Sequence, residues 1–298
     1  RRMMRMFKEY CESKIPLIEA ELSTLLKTDH NIAPKLYDAM QYSLLAGGKR
    51  LRPILLMAAA EAVSGEDGKP YIKPACALEM IHTYSLIHDD LPAMDDDDYR
   101  RGNLTNHKVF GEGIAILAGD ALLTNAFEVV LRQENVPAER LLKVVKEFSE
   151  AAGYNGMVGG QVIDLLSENK KVDIETLRLM HQAKTGALFR AAIRSGAILA
   201  GANKEEMIAL TEYAENFGLA FQITDDILDV IGEAAKIGKP VGSDIKNNKS
   251  TYVTLYSLEK AKEMANDAVA SALDALKIFG REAEFLRHVV RYLITRDH

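Results

Sequence analysis

Proline is distributed so unevenly along this chain that its placement alone restricts the fold. The eight prolines stand at 16, 34, 53, 70, 74, 92, 137 and 240, so none interrupts Ala138 to Lys239 and none follows Pro240. Proline lacks an N–H and clashes with the preceding turn, so long proline-free stretches are open to helix. Within them the apolar residues recur every three or four positions. Leu258, Ala261, Ala265, Ala268, Ala272, Leu276 and Phe279 make one stripe, with Lys260, Glu263 and Asp267 off it; Leu210, Ala214, Phe217, Phe221, Leu228 and Ile231 make another. That period belongs to helices that bury one face. Alternating strands joined by Asn-Gly or Asp-Gly turns are missing, and the Asp67-Gly68 pair sits in a polar loop between helical runs. Breaks fall near 28–34, 64–74, 102–113, 132–138, 167–173, 201–204 and 233–250, with no Pro/Ser/Gly-rich linker among them. The expectation is an all-α bundle of roughly ten helices forming one domain over residues 1–298, with 1–14 as a frayed or appended start.

Composition removes several function classes. A chain of 298 residues with 48% hydrophobic and 27% charged residues has enough apolar surface for a core without disulfide or metal. The longest wholly apolar run, Ile54 to Ala60, is seven residues, against the roughly 20 that a membrane-spanning helix needs. No membrane span is expected. A net charge of −6 lacks the basic footprint of a nucleic-acid binder. Cys11 and Cys76 are too few for a disulfide framework or a four-cysteine zinc site, and read as reduced thiols of a cytoplasmic protein. The start, RRMMRMFKEY, is basic but has no apolar core of a secretory signal.

Two acidic clusters carry the chemistry. Asp89, Asp90 and Asp95 to Asp98 place six aspartates in ten residues, behind a run containing Ile81, Tyr84, Leu86 and Ile87. Asp96 to Asp98 can be a solvated loop, but Asp89 and Asp90 end a helix that should be largely buried, where carboxylates require a cation. On a straight helix Asp95 would face away from Asp89; Pro92 breaks the helix and lets the chain turn back. In the second cluster Gln222, Asp225, Asp226 and Asp229 follow at i, i+3, i+4 and i+7, one polar face on an apolar helix. Two all-oxygen faces suit Mg²⁺, which completes its shell with water and substrate phosphate. Glu79-x-x-His82 is only half of a di-iron bundle motif. Basic residues gather as well: Gly47-Gly48-Lys49-Arg50-Leu51-Arg52, Arg100-Arg101-Gly102, Lys184-Thr185-Gly186, Lys239 and Lys249-Ser250-Thr251. None is a Walker loop, and each alone could be a solvated or capping group. His82, seven residues before Asp89, shares its helix face.

In order and completeness these motifs resemble the trans-isoprenyl diphosphate synthases of the farnesyl diphosphate synthase type. The resemblance rests on Asp89-Asp-Leu-Pro-Ala-Met-Asp95, Asp225-Asp-Ile-Leu-Asp229, Gly-Gly-Lys-Arg-Leu-Arg-Pro53, Arg100-Arg-Gly, Gly-Gly-Gln161, Lys184-Thr-Gly-Ala-Leu and the Gly-Lys-Pro-Val-Gly-Ser-Asp run at 238–244. It implies the isoprenoid-synthase bundle around a central cavity, usually a homodimer, and three Mg²⁺ per site, replaceable by Mn²⁺. Asp89, Asp90, Asp95, Asp225 and Asp229 would serve the metal, and Asp89 and Asp225 with Lys184, Thr185 and Gln222 the chemistry. Arg100, Lys184, Lys239 and Lys249 would contact an allylic diphosphate, while Gly48, Lys49, Arg52, His82 and Arg101 would hold isopentenyl diphosphate. Tyr84, about 7.5 Å down the helix from Asp89, would floor the chain pocket at fifteen carbons, with the small Ser85 leaving it open above. The implied activity is farnesyl diphosphate synthesis; a geranylgeranyl synthase or a non-catalytic subunit of a heteromeric synthase is the alternative. A class I terpene cyclase would not need Lys49, Arg52 and His82.

Overall fold

The computed structural model describes residues 2–27, 32–231 and 249–296. Fourteen α-helices are found there: α1 (Arg2–Leu25), α2 (Pro34–Leu44), α3 (Leu51–Ser64), α4 (Ile72–Asp89), α5 (Asn106–Phe110), α6 (Glu112–Leu131), α7 (Ala138–Ala152), α8 (Met157–Ser167), α9 (Ile174–His181), α10 (Ala187–Ala200), α11 (Lys204–Ile231), α12 (Tyr252–Leu255), α13 (Leu258–Ala275) and α14 (Glu284–Leu293). The all-α expectation holds. The excess over ten comes from one-turn pieces such as α5 and α12, and from a break at Gly153–Gly156 that the absence of proline concealed. One minimal hairpin interrupts the helices, β1 (Tyr99–Arg100) against β2 (Asn103–Leu104), with Tyr99 opposite Leu104.

Local chemistry sets the helix ends. The Asp173 carboxylate accepts from Thr176 N at 2.7 Å to cap α9, and Ser257 caps α13 through Lys260 N at 3.1 Å. Pro34 opens α2 at a position whose N–H has no partner inside the helix. Gly65 and Gly201 close α3 and α10 in the left-handed conformation.

Helices α3, α4 and α10 form the centre, with Pro53–Ala60 of α3 and Pro74–Ile81 of α4 buried without interruption. Helix α10 packs against α3, α7 and α11. Its contact with α3 requires Gly196, since an added Cβ would lie 2.0 Å from Leu56 O. The main core runs from Ile18 to Leu293, and a second cluster joins Leu177 and Met180 to Ile223, Ile227, Tyr252, Ala261 and Ala265. Stacked rings tie α1 to α14, Phe7 on Tyr292 at 4.6 Å and Tyr10 on Phe285 at 4.0 Å.

Helix α6 qualifies one expectation. Asp120 and Glu128 interrupt its apolar run, yet by length and composition it is long and apolar enough to cross a membrane. In the fold it lies along α4, with Ala115, Ala118, Leu122 and Ala126 buried.

Candidate active site

The end of α4, the start of α3, the turn between α9 and α10, and the C-terminal third of α11 bring the predicted residues to one cleft. After Asp89 the chain folds back as the Pro92 break requires: Asp95 N donates to Asp89 O at 2.8 Å, and Asp97 N to Asp90 O at 3.2 Å. Asp95 therefore returns beside Asp89. Burial pushes the Asp89 carboxyl up to about 6; Lys184 and Arg100 pull it down and outweigh the repulsion from Asp95 and Asp90, so burial is the cause of the rise. Asp90 is turned elsewhere: it is 2% exposed, and both its oxygens accept from Arg100, at 2.7–2.9 Å. Asp98 pairs with Lys108 at the surface.

On α11 the three aspartates also divide. Asp225 is partly open and accepts from Arg296 Nη2 at 2.6 Å. Asp226 is buried, accepting from Gln222 Nε2 at 3.0 Å and from Tyr252 N at 2.8 Å. Asp229 is 1% exposed. Arg296 is held further by Thr224 Oγ1 at 2.8 Å and Phe221 O at 3.2 Å, and lies 4.9 Å over the Phe221 ring. Nothing in the sequence singled out Arg296.

Lys184 and Thr185 lie in a single π-helical turn, Gln182–Gly186, between α9 and α10. Such turns widen the backbone spiral and are common at functional sites. Lys184 Nζ donates to Asp164 Oδ2 at 2.6 Å, and Lys249 Nζ is 3.8 Å from the same oxygen. Lys184, Thr185, Gln222, Asp225 and Lys249 line one cavity of about 170 Å³. Lys239 and the 238–244 motif lie outside the described residues.

The opposite wall is basic. Arg52 stacks 4.5 Å over the Phe189 ring, with Nη1 3.3 Å from His82 Nε2 and a buried Nε that has no hydrogen-bond partner. Burial lowers Arg52 to about 10, and burial together with Arg52 and Arg101 holds His82 well below its usual range. His82 is therefore neutral and accepts from Arg52. Burial also lowers Arg101 and Lys49. Among the described residues none of Lys49, Arg52 and Arg101 has a carboxylate partner within salt-bridge distance. Gly48, at φ +132°, leaves the space for Arg101, whose guanidinium would be 2.6 Å from an added Cβ; Arg101 donates to Gly47 O. Arg50 does something the sequence did not disclose. Its buried side chain donates to Glu19 at 2.6 Å, Glu79 at 2.9 Å and Leu44 O at 2.7 Å, fixing the loop that carries its neighbours.

Tyr84 is buried and meets the His88 ring edge-on at 5.5 Å, while Ser85 Oγ bonds back to His82 O at 2.6 Å. The oxygen donors of Asp89, Asp95 and Asp225 fit a hard divalent cation, and the raised Asp89 carboxyl marks charge that such an ion would balance. Among the described residues no three acidic or imidazole groups converge into a ready-made cage.

Residues 33–288 match the Polyprenyl synthetase family. A farnesyl diphosphate synthase of Micrococcus luteus is 48% identical over 92% of this chain and 94% of its own. A geranylgeranyl diphosphate synthase of Cyanophora paradoxa is 48% identical over 88% of each. The structure of a geranylgeranyl pyrophosphate synthetase from Pyrococcus horikoshii superposes with a TM-score of 0.90 at 35% identity, covering 99% of this chain and 100% of that one. The chain belongs to the polyprenyl synthetase family. It is a prenyl-transferring enzyme of isoprenoid synthesis with a divalent-metal requirement.

Proposed function

We propose that the protein condenses isopentenyl diphosphate head-to-tail with dimethylallyl and geranyl diphosphate, and releases farnesyl diphosphate. The observation that carries this reading is the group of cations at Lys49, Arg52 and Arg101 that, among the described residues, have no carboxylate partner and face the aspartates. It supports a second anion site, which a cyclase has no use for. Mg²⁺ at Asp89, Asp95 and Asp225 would supply Lewis-acid compensation of leaving-group charge. Arg100 and Lys184, with Lys249 and Lys239, would bind the allylic diphosphate and stabilise the charge that grows as the C–O bond breaks. The Lys184 and Thr185 carbonyls and Gln222 would face the carbocation. The isopentenyl double bond forms the new C–C bond, and the proton it then loses passes to the departing diphosphate. Neutral His82 and Arg52 orient isopentenyl diphosphate, and neither supplies a nucleophile.

The buried Tyr84 supports arrest at fifteen carbons. The Tyr84→Ala variant should make twenty-carbon or longer products, and chromatography of the dephosphorylated products from each allylic substrate tests both claims. A native protein that yields mainly twenty carbons would favour the geranylgeranyl reading. We also place the enzyme in the cytoplasm as a homodimer. Val158, Val162 and Leu166 form an exposed stripe along α8, Tyr154 is exposed in the turn before it, and Ile116 and Leu117 stand exposed on α6. A second copy would cover such faces, and a double Val158→Asp/Val162→Asp variant should sediment as a monomer.

A further inference from the structure

The reaction just described leaves one buried charge without a part. Asp164 sits on α8 among Val162, Ile163, Leu165 and Leu166, and is 8% exposed. A carboxylate buried in such a run is costly unless it is paired. Its Oδ2 takes the Lys184 ammonium at 2.6 Å and stands 3.8 Å from that of Lys249, so two cations from separate segments share one anion. The approach is close in the backbone too, because an added Cβ at Gly160 would lie 2.3 Å from Lys184 N. Burial alone would push Lys184 down, but Asp164, with smaller contributions from Asp89 and Asp95, carries it above the usual lysine range. His181, which burial lowers to about 4, is neutral and does not compete for the carboxylate.

We infer that Asp164 is a positioning residue, which holds the ammonium groups of Lys184 and Lys249 in place to receive the allylic diphosphate. The inference rests on the proposed assignment of those lysines to that substrate. A lysine is a point charge on a long flexible stem, and fixing it before binding spares the transition state that ordering. The sign of the effect separates this role from that of a mere counter-ion. A carboxylate beside an anion site weakens anion binding, so deleting a mere counter-ion should tighten diphosphate binding and leave turnover intact. Deleting a positioning group should lower turnover.

The test is Asp164→Asn, nearly isosteric and uncharged, assayed with Mg²⁺, geranyl diphosphate and isopentenyl diphosphate, beside the affinity for unreactive geranyl thiolodiphosphate. We expect kcat to fall by about tenfold to a hundredfold, with KM for isopentenyl diphosphate unchanged and Asp164→Glu intermediate. A wild-type kcat with tighter analogue binding overturns the inference, as does an equal rise in KM for both substrates. Should the Asn variant fail to fold, Asp164→Glu decides: a lowered kcat at the wild-type Tm supports the role, and an unchanged kcat refutes it. A wild-type protein that makes no prenyl product would instead overturn the proposed function, and this inference with it.

Discussion

The same dipeptide, Asp-Asp, closes one wall of the cleft at 89–90 and opens another at 225–226, and the two copies are built differently. At 89–90 the helix ends, the chain folds back, and a third aspartate returns through the Asp95 N to Asp89 O bond. At 225–226 the helix continues, and the third aspartate is simply one turn on, fully buried. In both pairs the first carboxylate is the more open and the second is buried, although Asp226 still borders the cavity that Asp225 lines. Asp90 holds Arg100, whereas Asp226 holds Gln222 and the start of α12. The lesson is that an acidic motif is not a set of equal ligands. One carboxylate is left more open while its neighbour keeps a group in place.

If that division is right, replacing the cleft-facing members has the largest effect. Asp89→Ala or Asp225→Ala should lower kcat by about a hundredfold or more, the scale of losing one strong electrostatic stabiliser. Steady-state kinetics at saturating Mg²⁺ read it, and near-native kcat in either variant breaks the comparison. Next come the inward-facing members, which should part ways. Asp90→Asn loosens Arg100 and should raise KM for geranyl diphosphate by about tenfold, a single charge-assisted contact, with little change for isopentenyl diphosphate. Asp226→Ala leaves Tyr252 N and Gln222 Nε2 without that acceptor and should show chiefly in the melting curve, at about 2–4 °C for each kcal/mol lost in a domain this size. Identical phenotypes would erase the distinction.

The cleft-facing carboxylates were legible because their spacing is chemical. The i, i+3, i+4, i+7 run fixes a face, and Pro92 predicts the fold-back. What spacing cannot show is which oxygen is already taken, so the Asp90–Arg100 pair and the buried place of Asp226 required coordinates. Arg50 was hidden among the basic residues of its loop, although it alone turns inward to Glu19 and Glu79. Asp164 had a readable signal, a lone aspartate in an apolar run three residues after Gln161. Arg296 had none, since the packing of α14 on α11 that brings it to Asp225 joins distant segments.

A smaller effect follows from the Asp89 carboxyl, which burial raises to about 6. A raised value means the free protein keeps the proton below that pH, and a metal must expel it. Affinity for Mn²⁺, followed by paramagnetic relaxation of water, should be flat above pH 7 and fall by about tenfold for each unit below 6. The Asp89→Asn variant should lose that slope while Asp225→Asn keeps it. A slope that survives Asp89→Asn would place the proton on another group.

The smallest expected effect concerns Arg296, the cation that now satisfies Asp225. Its guanidinium is 2.6 Å from Asp225 Oδ1 and well anchored, with the side chain 5% exposed against 39% for Asp225. A positive group there must either move or share the carboxylate when a metal arrives, so it opposes metal binding on the α11 wall and not at Asp89. Water reaches Asp225, which screens the pair and limits its worth to about that of a partly exposed ion pair. Arg296→Ala should therefore tighten Mn²⁺ binding by only about twofold to fivefold, while Arg296→Lys, which keeps the charge, should stay near the native affinity. The combination with Asp225→Asn provides the control: with no carboxylate to contest, Arg296→Ala should have no effect on affinity. Weaker metal binding in Arg296→Ala would mean that the arginine orients Asp225 for the ion instead of competing with it, and the two walls would then be more alike than their partners suggest.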